Sequence, residues 1–479
     1  MKKKKTLSSH TKGTVQSIET LLEVLLLSVL YFVFWWKTYD ADLADSFSDY
    51  SRYLLVGVYA ALVYLFIKNS DGFQFGQLRK ADLAVAQWIA LLLVNALTYF
   101  QLCLVYDKML SPAPMLLLML ADVLLCFLYI HLMKFIYYIL YPPYNMVMIY
   151  GSKTAAGMKL KMDSRRDKYQ VNALISSEKG YDYIVEKLEQ YDAAVLNDVP
   201  NQLRNDIVKY CYQHRIRVYV VPKITDIILR NGFEITAFDT PLLMVSGQGL
   251  TFGQRFLKRA MDIILSAIAL IPAAPIMLLV ALAIKIEDGG PVLYKQERVT
   301  LNDKPFYVTK LRSMIVDAEK YTGAVLAADN DPRITKVGKF IRATRLDELP
   351  QLLNILKGDM SVVGPRPERM SFIQEFCKEI PEFAYRTKVK AGLTGYAQIY
   401  GKYNTCPYDK LRMDLMYIEH YSLQMDVKLI LMTVRIIFSK ESTEGFDNSS
   451  KMNRRARKAL REMHKEQKQK EEQKEATKP

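Results

Sequence analysis

Four long apolar runs in the first 141 residues limit the folds that this chain can adopt. They cover residues 21–36, 53–67, 83–106 and 115–140. Each is close to the ~20 residues that a helix needs to cross a bilayer, although the second run requires flanking residues. Lysines precede the first run and an acidic loop follows it, so the positive-inside preference predicts a cytoplasmic N terminus. Four spans would then return the chain to the cytoplasm.

The fourth run contains three polar residues, Asp122, His131 and Lys134. Ionisable side chains inside a membrane segment can mark a polar pathway. Helix–helix hydrogen bonds and snorkelling of the lysine toward the membrane edge are the alternative explanation. The sequence favours this alternative but leaves the pathway open.

The net charge of +15 and the hydrophobic fraction of 51% narrow the class of protein further. Basic residues are concentrated near both termini, where they flank apolar segments. The predicted partner is therefore an anionic lipid bilayer, and no nucleic acid is expected to bind. Five cysteines without a CxxC pair argue against a structural zinc site and against a disulfide framework. Residues 1–16 are predicted to be a basic tail and residues 447–479 a charged tail.

Strand-like and helical stretches alternate between residues 142 and 247. This alternation predicts a parallel, doubly wound sheet, and the segment resembles a Rossmann-type domain. The glycine fingerprint for phosphate is mostly missing, because Lys153 and Ala156 occupy the glycine positions after Gly151. A structural or oligomerising role is therefore favoured over dinucleotide binding, and a homodimer is expected.

A fifth apolar segment, residues 261–284, carries Pro272 and Pro275 near its middle. Prolines in a helix interior remove hydrogen bonds and predict a break. Lys258 and Arg259 precede the segment and other basic residues follow it. Both flanks satisfy the positive-inside preference only if the segment enters and leaves on one face. A re-entrant helix over 259–286 is predicted, with Lys258 and Arg259 as membrane anchors.

An acidic pair, Asp347-Glu348, lies farther along the chain. We predict one short helix here, in which Thr344 is the N-cap, Asp347 completes a capping box and Pro350 falls in the first turn. Gly358 is expected to end this helix. The apolar residues at helical spacing should form its buried face: Leu346, Leu349, Leu353 and Leu356.

Carboxylates in the first turn of a helix are stabilised in their charged form by the helix dipole. Adjacent side chains point about 100° apart in an α-helix, so Asp347 and Glu348 could have different roles. One could face a reacting phosphorus while the other holds a divalent cation, with Arg342 and Arg345 neutralising phosphate oxygens. The alternative is that Asp347 only caps the helix and that Glu348 is solvated surface.

Basic residues on both sides of the acidic pair favour the catalytic alternative. Arg366 lies between Pro365 and Pro367, whose fixed φ makes a stiff loop suited to presenting a guanidinium to an anion. Upstream, Lys310 and Arg312 close a strand-like run and lie on the same side of it.

Taken in order, these motifs resemble the bacterial sugar transferases, a family of polyprenyl-phosphate phosphoglycosyl transferases, over residues 255–446. The resemblance implies a membrane protein of the α and α/β classes, whose mainly helical catalytic domain over 248–446 contains the re-entrant helix. A four-helix transmembrane bundle over 17–141 and a Rossmann-like domain over 142–247 would precede it. The catalytic domain would lie on the cytoplasmic face of a bacterial plasma membrane.

Further stretches resemble the same family at 290–298, 391–399 and 414–426. Residues 391–399 are similar to the family's glycine-rich loop, which implies a nucleotide contact for Gln398. Tyr396 replaces the usual tryptophan, and nucleobase contact, membrane contact and simple packing all remain open for it. Ala274 stands where relatives have a serine before the proline of the break.

The resemblance implies transfer of a sugar 1-phosphate from a UDP-sugar to undecaprenyl phosphate, with release of UMP, to initiate exopolysaccharide, capsule or O-antigen assembly. Asp347 would be the nucleophile and form an aspartyl phosphosugar. Asp347 and Glu348 would hold Mg²⁺, or Glu348 would assist proton transfer. The implied phosphate and nucleotide contacts are Lys310, Arg312, Arg342, Arg366, Pro365, Pro367 and Gln398.

Two other functions remain open from the sequence. A membrane-anchored nucleotide-sugar sensor or scaffold would bind ligand in the Rossmann-like domain and use the acidic helix only as structure. Hydrolysis of a nucleotide sugar would keep the chemistry but would not need polyprenyl phosphate. The transferred sugar is also open, because glucose, galactose and an N-acetylated sugar all fit.

Overall fold

A computed structural model describes residues 9–38, 49–151, 155–237, 239–247, 249–316, 318, 331–401 and 405–437. Residues 1–8 of the predicted basic tail and the whole predicted tail 447–479 lie outside the described residues. The chain divides into two compact units, Met1–Tyr219 and Val220–Pro479.

The first unit begins with four helices at the predicted apolar runs: α1 (Ser9–Thr38), α2 (Asp49–Asn69), α3 (Lys80–Val105) and α4 (Ala113–Leu140). Each is long and apolar enough to cross a membrane. Consecutive helices pack together and α1 also packs on α4, which closes a bundle. Tyr31 and Tyr59 stack in its core with 4.1 Å between ring centroids.

The three polar residues of α4 form hydrogen bonds with protein groups. Asp122 accepts a hydrogen bond from Asn95 at 2.8 Å. Lys134 donates to the carbonyl of Leu78 at 2.6 Å. His131 is more exposed and bonds to the carbonyl one turn earlier. The bond between Asp122 and Asn95 fits the prediction of helix–helix hydrogen bonds.

A four-stranded sheet follows, with strands β1 (Tyr144–Tyr150), β2 (Tyr169–Ser176), β3 (Ala193–Asn197) and β4 (Arg217–Val220) in the order β2-β1-β3-β4. β1 pairs in parallel with both β2 and β3, as the alternating sequence predicts. Three helices connect the strands: α5 (Ala155–Asp163), α6 (Tyr181–Leu188) and α7 (Asn201–Gln213).

The structure explains why residue 151 is a glycine, which the incomplete phosphate fingerprint does not. A Cβ atom at this position would lie 2.1 Å from the carbonyl oxygen of Asp198. The close backbone approach therefore requires glycine whether or not the turn binds phosphate.

The second unit is mainly helical, with short sheets. Its elements are α8 (Ile224–Arg230), β5 (Phe233–Ala237), β6 (Thr240–Met244), α9 (Phe252–Asp288), β7 (Leu293–Val299), β8 (Pro305–Leu311), α10 (Lys336–Ala343), α11 (Gln351–Lys357), β9 (Ser361–Val363), α12 (Met370–Glu379), β10 (Gly392–Thr394), α13 (Tyr396–Tyr400), α14 (Pro407–Glu419) and α15 (Leu423–Ile437). β5–β6 and β7–β8 are antiparallel pairs, whereas β9 and β10 are parallel. Side chains from β8, α11, α12 and α14 share one apolar core.

The fifth apolar segment is one helix, α9, which begins at a Thr251 capping box and ends before Gly289. Pro272 and Pro275 lie inside it, so the predicted interruption of the helix is wrong. A proline removes one hydrogen bond and can bend a helix without ending it. By length and composition α9 could also cross a membrane.

Candidate active site

The acidic pair lies in a turn between two helices, and the predicted N-cap is wrong. Thr344 instead ends α10, where its hydroxyl donates to the carbonyl of Phe340 at 2.9 Å. Arg345 follows with φ of 60°, and residues 346–348 form one 3₁₀ turn. α11 begins only after Pro350, whose missing N–H is tolerated at a helix start. The predicted end at Gly358 is confirmed by its φ of 97°.

The buried face of α11 also differs from the prediction. Leu353 is 51% exposed, whereas Leu352 and Ile355 are buried. Asn354 explains this rotation, because its amide accepts from Thr309 N at 3.1 Å and donates to Tyr307 O at 2.8 Å. The helix is thereby bonded to strand β8, which also carries Lys310.

Glu348 accepts two charged hydrogen bonds on the same carboxylate oxygen. Lys310 donates from 3.1 Å and Arg366 from 2.9 Å. Burial alone would raise the pKa of Glu348, but the charges of Arg366, Lys310 and Arg345 outweigh it and hold the pKa well below its usual range. Glu348 is therefore a permanent anion that fixes two cations beside its neighbour.

Asp347 has the opposite environment. The residue is only 8% exposed, and its side chain makes no hydrogen bond or ion pair within the described part of the chain. Burial and the charge of Glu348 raise its pKa, against the effects of Lys310, Arg342 and Arg366. A desolvated carboxylate without a protein partner, close to cations, suits nucleophilic attack on phosphorus better than a capping role does.

The loop that carries Arg366 is held through three successive carbonyl groups. Pro365 O accepts from Gly392 N at 2.9 Å, and Arg366 O accepts from Arg386 at 3.0 Å. Pro367 O accepts from Arg298 at 3.3 Å. The predicted stiff loop is thus also bonded to its surroundings.

Arg386 is a residue that sequence reasoning missed. It is 4% exposed, and its guanidinium lies 2.9 Å from the carboxylate of Asp414. Burial raises the pKa of Asp414 to about 6, against the charge of Arg386. Asn354 was missed as well, and nothing in their local sequence separates these two residues from ordinary surface arginine and asparagine.

Other predicted site residues lie in different surroundings. Arg312 is buried and forms an ion pair with Asp288 at the end of α9, rather than joining Lys310 at Glu348. Arg342 lies within electrostatic range of Asp347. Gln398 donates to Leu393 O at 3.1 Å and so stabilises the glycine-rich loop.

The two predicted membrane anchors contact protein groups. Lys258 is 5% exposed and lies 2.6 Å from Asp426. Arg259 donates to the carbonyls of Ile355 and Leu356 at 2.6 and 2.7 Å. Those carbonyls end α11, where a cation is favourable to the helix dipole. Arg259 therefore attaches α9 to the helix that follows the acidic pair, and Lys258 attaches α9 to α15.

The donor set allows a divalent cation only if the substrate supplies ligands. No group of three or more His, Cys, Asp or Glu residues suited to a metal occurs among the described residues. Asp347 has a carboxylate without a protein partner, while one oxygen of Glu348 is already engaged by Lys310 and Arg366. Mg²⁺ commonly takes one or two carboxylates and completes its shell with water and substrate phosphates, so this pair fits such an ion.

The family comparison concerns this same region. The profile of the bacterial sugar transferase family matches residues 253–440. A UDP-N-acetylgalactosamine-undecaprenyl-phosphate N-acetylgalactosaminephosphotransferase of Aeromonas hydrophila is 44% identical over 187 residues, which are 38% of this chain and 44% of the relative. A UDP-glucose:undecaprenyl-phosphate glucose-1-phosphate transferase of Escherichia coli K12 is 41% identical over 210 residues, 43% of each chain.

The chain thus covers less than half the length of these two relatives. A UDP-glucose:undecaprenyl-phosphate glucose-1-phosphate transferase of Caulobacter vibrioides is 40% identical over 190 residues, which are 39% of this chain and 71% of that relative. Most of that shorter protein is therefore represented here, and the chain belongs to the bacterial sugar transferase family.

Proposed function

We propose that this protein transfers a sugar 1-phosphate from a UDP-sugar to undecaprenyl phosphate and releases UMP. The observation that carries the proposal is the unequal acidic pair. Glu348 is held by Lys310 and Arg366, while Asp347 beside it has a buried carboxylate with no protein partner in the described chain. Relatives named for this reaction are 44% and 41% identical to this chain over 187 and 210 residues.

In the first step, a carboxylate oxygen of Asp347 attacks the phosphorus that carries the sugar. The bond from this phosphorus to the oxygen of UMP breaks, and UMP leaves with the electron pair. In the second step, a phosphate oxygen of the lipid attacks the aspartyl phosphosugar and releases the Asp347 carboxylate. The product is a polyprenyl diphosphate sugar, and no oxidant or reductant is needed.

The neighbouring charges act by position. Glu348 keeps Lys310 and Arg366 next to Asp347, where they can neutralise the phosphate oxygens in the transition state. Arg342 approaches Asp347 from α10 and would bind the same substrate group. Asp347 and Glu348 are the residues that would hold Mg²⁺, which supplies positive charge for the departing UMP when it is bound with the donor.

We propose a re-entrant arrangement for α9, with both ends on the cytoplasmic face. The helix packs on its own unit along its length through Lys258, Asp262, Ser266, Ala273, Val280 and Ile284, which are all buried. A helix that crossed a bilayer away from its domain would lack such contacts over about 30 Å. Its other face exposes large apolar side chains to lipid: Ile264, Ile268, Ile271, Leu278, Leu279 and Leu282.

The remaining domain assignments are part of the same proposal. Residues 142–247 form a Rossmann-like cytoplasmic domain, and residues 248–446 form the transferase domain. The parallel pairing of β1 with β2 and β3 supports the first assignment. A homodimer is proposed as the assembled state, and its mass in detergent would test it.

The test is UMP release by the full-length protein in nanodiscs, with a panel of UDP-sugars and Mg²⁺. We expect release from one sugar, dependence on undecaprenyl phosphate, and loss in Asp347→Asn with an unchanged melting temperature. Asp347→Asn activity above a few per cent of wild type would remove Asp347 as the nucleophile.

Two other outcomes identify the competing functions. Release that does not depend on lipid would indicate hydrolysis, and no release from any sugar by folded protein would favour a sensor or scaffold. Glu348→Gln should weaken the dependence on Mg²⁺, so an unchanged magnesium titration would contradict the metal role of Glu348.

A further inference from the structure

A cleft in the first unit lies where α4 meets the sheet, and the proposed reaction does not use any of its residues. Its empty space, part of which is open to solvent, is about 440 Å³. Its walls come from the end of α4, β1, the loop before β2, and β4. Among its lining residues are Lys134, Tyr137, Tyr141, Tyr144, Lys168 and Tyr219.

Two lysines bring positive charge into this cleft. Lys134 is 4% exposed and uses one N–H on Leu78 O at 2.6 Å, which leaves two donors. The Lys168 side chain makes no hydrogen bond or ion pair in the described chain, and its ammonium lies 5.0 Å from the ring centre of Tyr169. Burial, with the charge of Arg165, lowers the pKa of Lys168. An anion bound between the two lysines would offset the free-energy cost of burying the Lys168 ammonium.

The acids nearby do not cancel this charge. Asp167 lines the cleft, but Arg165 binds both its oxygens at 3.0 Å. Lys80 also lies within electrostatic range of Lys134. On the α1 side the facing acid is Glu19, which forms no ion pair with Lys134 in the described chain.

The wall chemistry indicates what kind of anion fits. Tyrosines are typical of the membrane–water interface, and this cleft adjoins the last turn of a predicted membrane helix. Basic pockets at the cytoplasmic ends of membrane helices bind phosphate headgroups of anionic lipids. We propose that this cleft binds the phosphate of an anionic glycerophospholipid through Lys134 and Lys168.

The test measures binding of phosphatidylglycerol to the full-length protein in detergent by native mass spectrometry. Lys134→Gln and Lys168→Gln should each weaken binding about tenfold, the effect of one charged hydrogen bond. Lys209→Gln is the matched control, because the Lys209 side chain is 79% exposed on α7. Lys168→Gln keeps the test valid if Lys134→Gln does not fold.

Phosphatidylcholine and inorganic phosphate separate the possible sources of the phosphate. Lysine-dependent binding of phosphatidylglycerol that excess inorganic phosphate does not displace would establish the lipid site. Binding of inorganic phosphate alone, with the same lysine dependence, would assign the cleft to a soluble phosphate and overturn the lipid proposal. Equal binding of phosphatidylglycerol and phosphatidylcholine, or equal loss in Lys209→Gln, would overturn it as well.

Discussion

Replacing Lys258 by methionine should destabilise the second unit strongly, because it leaves a buried carboxylate without its cation. Asp426 is fully buried and lies 2.6 Å from Lys258. Removing one partner of such a pair costs about 3–5 kcal/mol. Asp426 keeps a hydrogen bond from Tyr417 at 2.8 Å, so we expect the lower end of this range. That corresponds to a fall of about 6–12 °C in apparent melting temperature.

The assay is a fluorescence melting curve of the full-length protein in detergent. The double variant Lys258→Met/Asp426→Leu should recover most of the loss, because an apolar pair needs no counter-charge and Tyr417 can donate to Val363 O, 3.2 Å away. Lys339→Met, at an exposed lysine of α10, is the control. A double variant no more stable than Lys258→Met would refute the reasoning.

Three further changes test the candidate site. Glu348→Gln removes a charge that raises the pKa of Asp347, so this pKa should fall. The acid limb of the kcat/KM profile should then move to lower pH. A limb that stays in place or moves to higher pH would contradict the effect of Glu348 on Asp347. Gly392→Ala would place a Cβ 2.1 Å from Gly364 N, and we expect a large loss of UMP release because the Arg366 loop must move; wild-type kinetics would contradict this. Asn354→Leu deletes both bonds to β8 and should cost about 1–3 kcal/mol in a melting experiment, whereas an unchanged melting temperature would exclude the proposed link.

Sequence reasoning succeeded where a structural feature depends on local composition. The helices α1 to α4 follow from the length of apolar runs, which is a property of the sequence alone. The parallel pairing of β1 with β2 and β3 follows from the alternation of strands and helices. The stop at Gly358 follows from the freedom of glycine at positive φ.

Sequence reasoning failed where partners from distant parts of the chain decide the outcome. Threonine is a common N-cap residue, but α10 extends to Ala343 and Thr344 is its C-cap. The face of α11 depends on bonds from Asn354 to β8, which is more than forty residues away. Lys258 and Arg259 were interpreted from flanking charge, although their partners lie in α15 and α11.

The wrong helix prediction bears directly on the chemistry. In a single helix from Thr344, both acids would lie in one first turn, and the same dipole would lower both pKa values. The structure instead inserts Arg345 at φ of 60° and a 3₁₀ turn, which lets Glu348 reach Lys310 and Arg366 while Asp347 stays buried without a partner. The pKa of one acid falls and that of the other rises. Paired acids with divergent pKa values can take different catalytic roles, so the left-handed residue that prevents a continuous helix also separates the environment of Asp347, the proposed nucleophile, from that of Glu348.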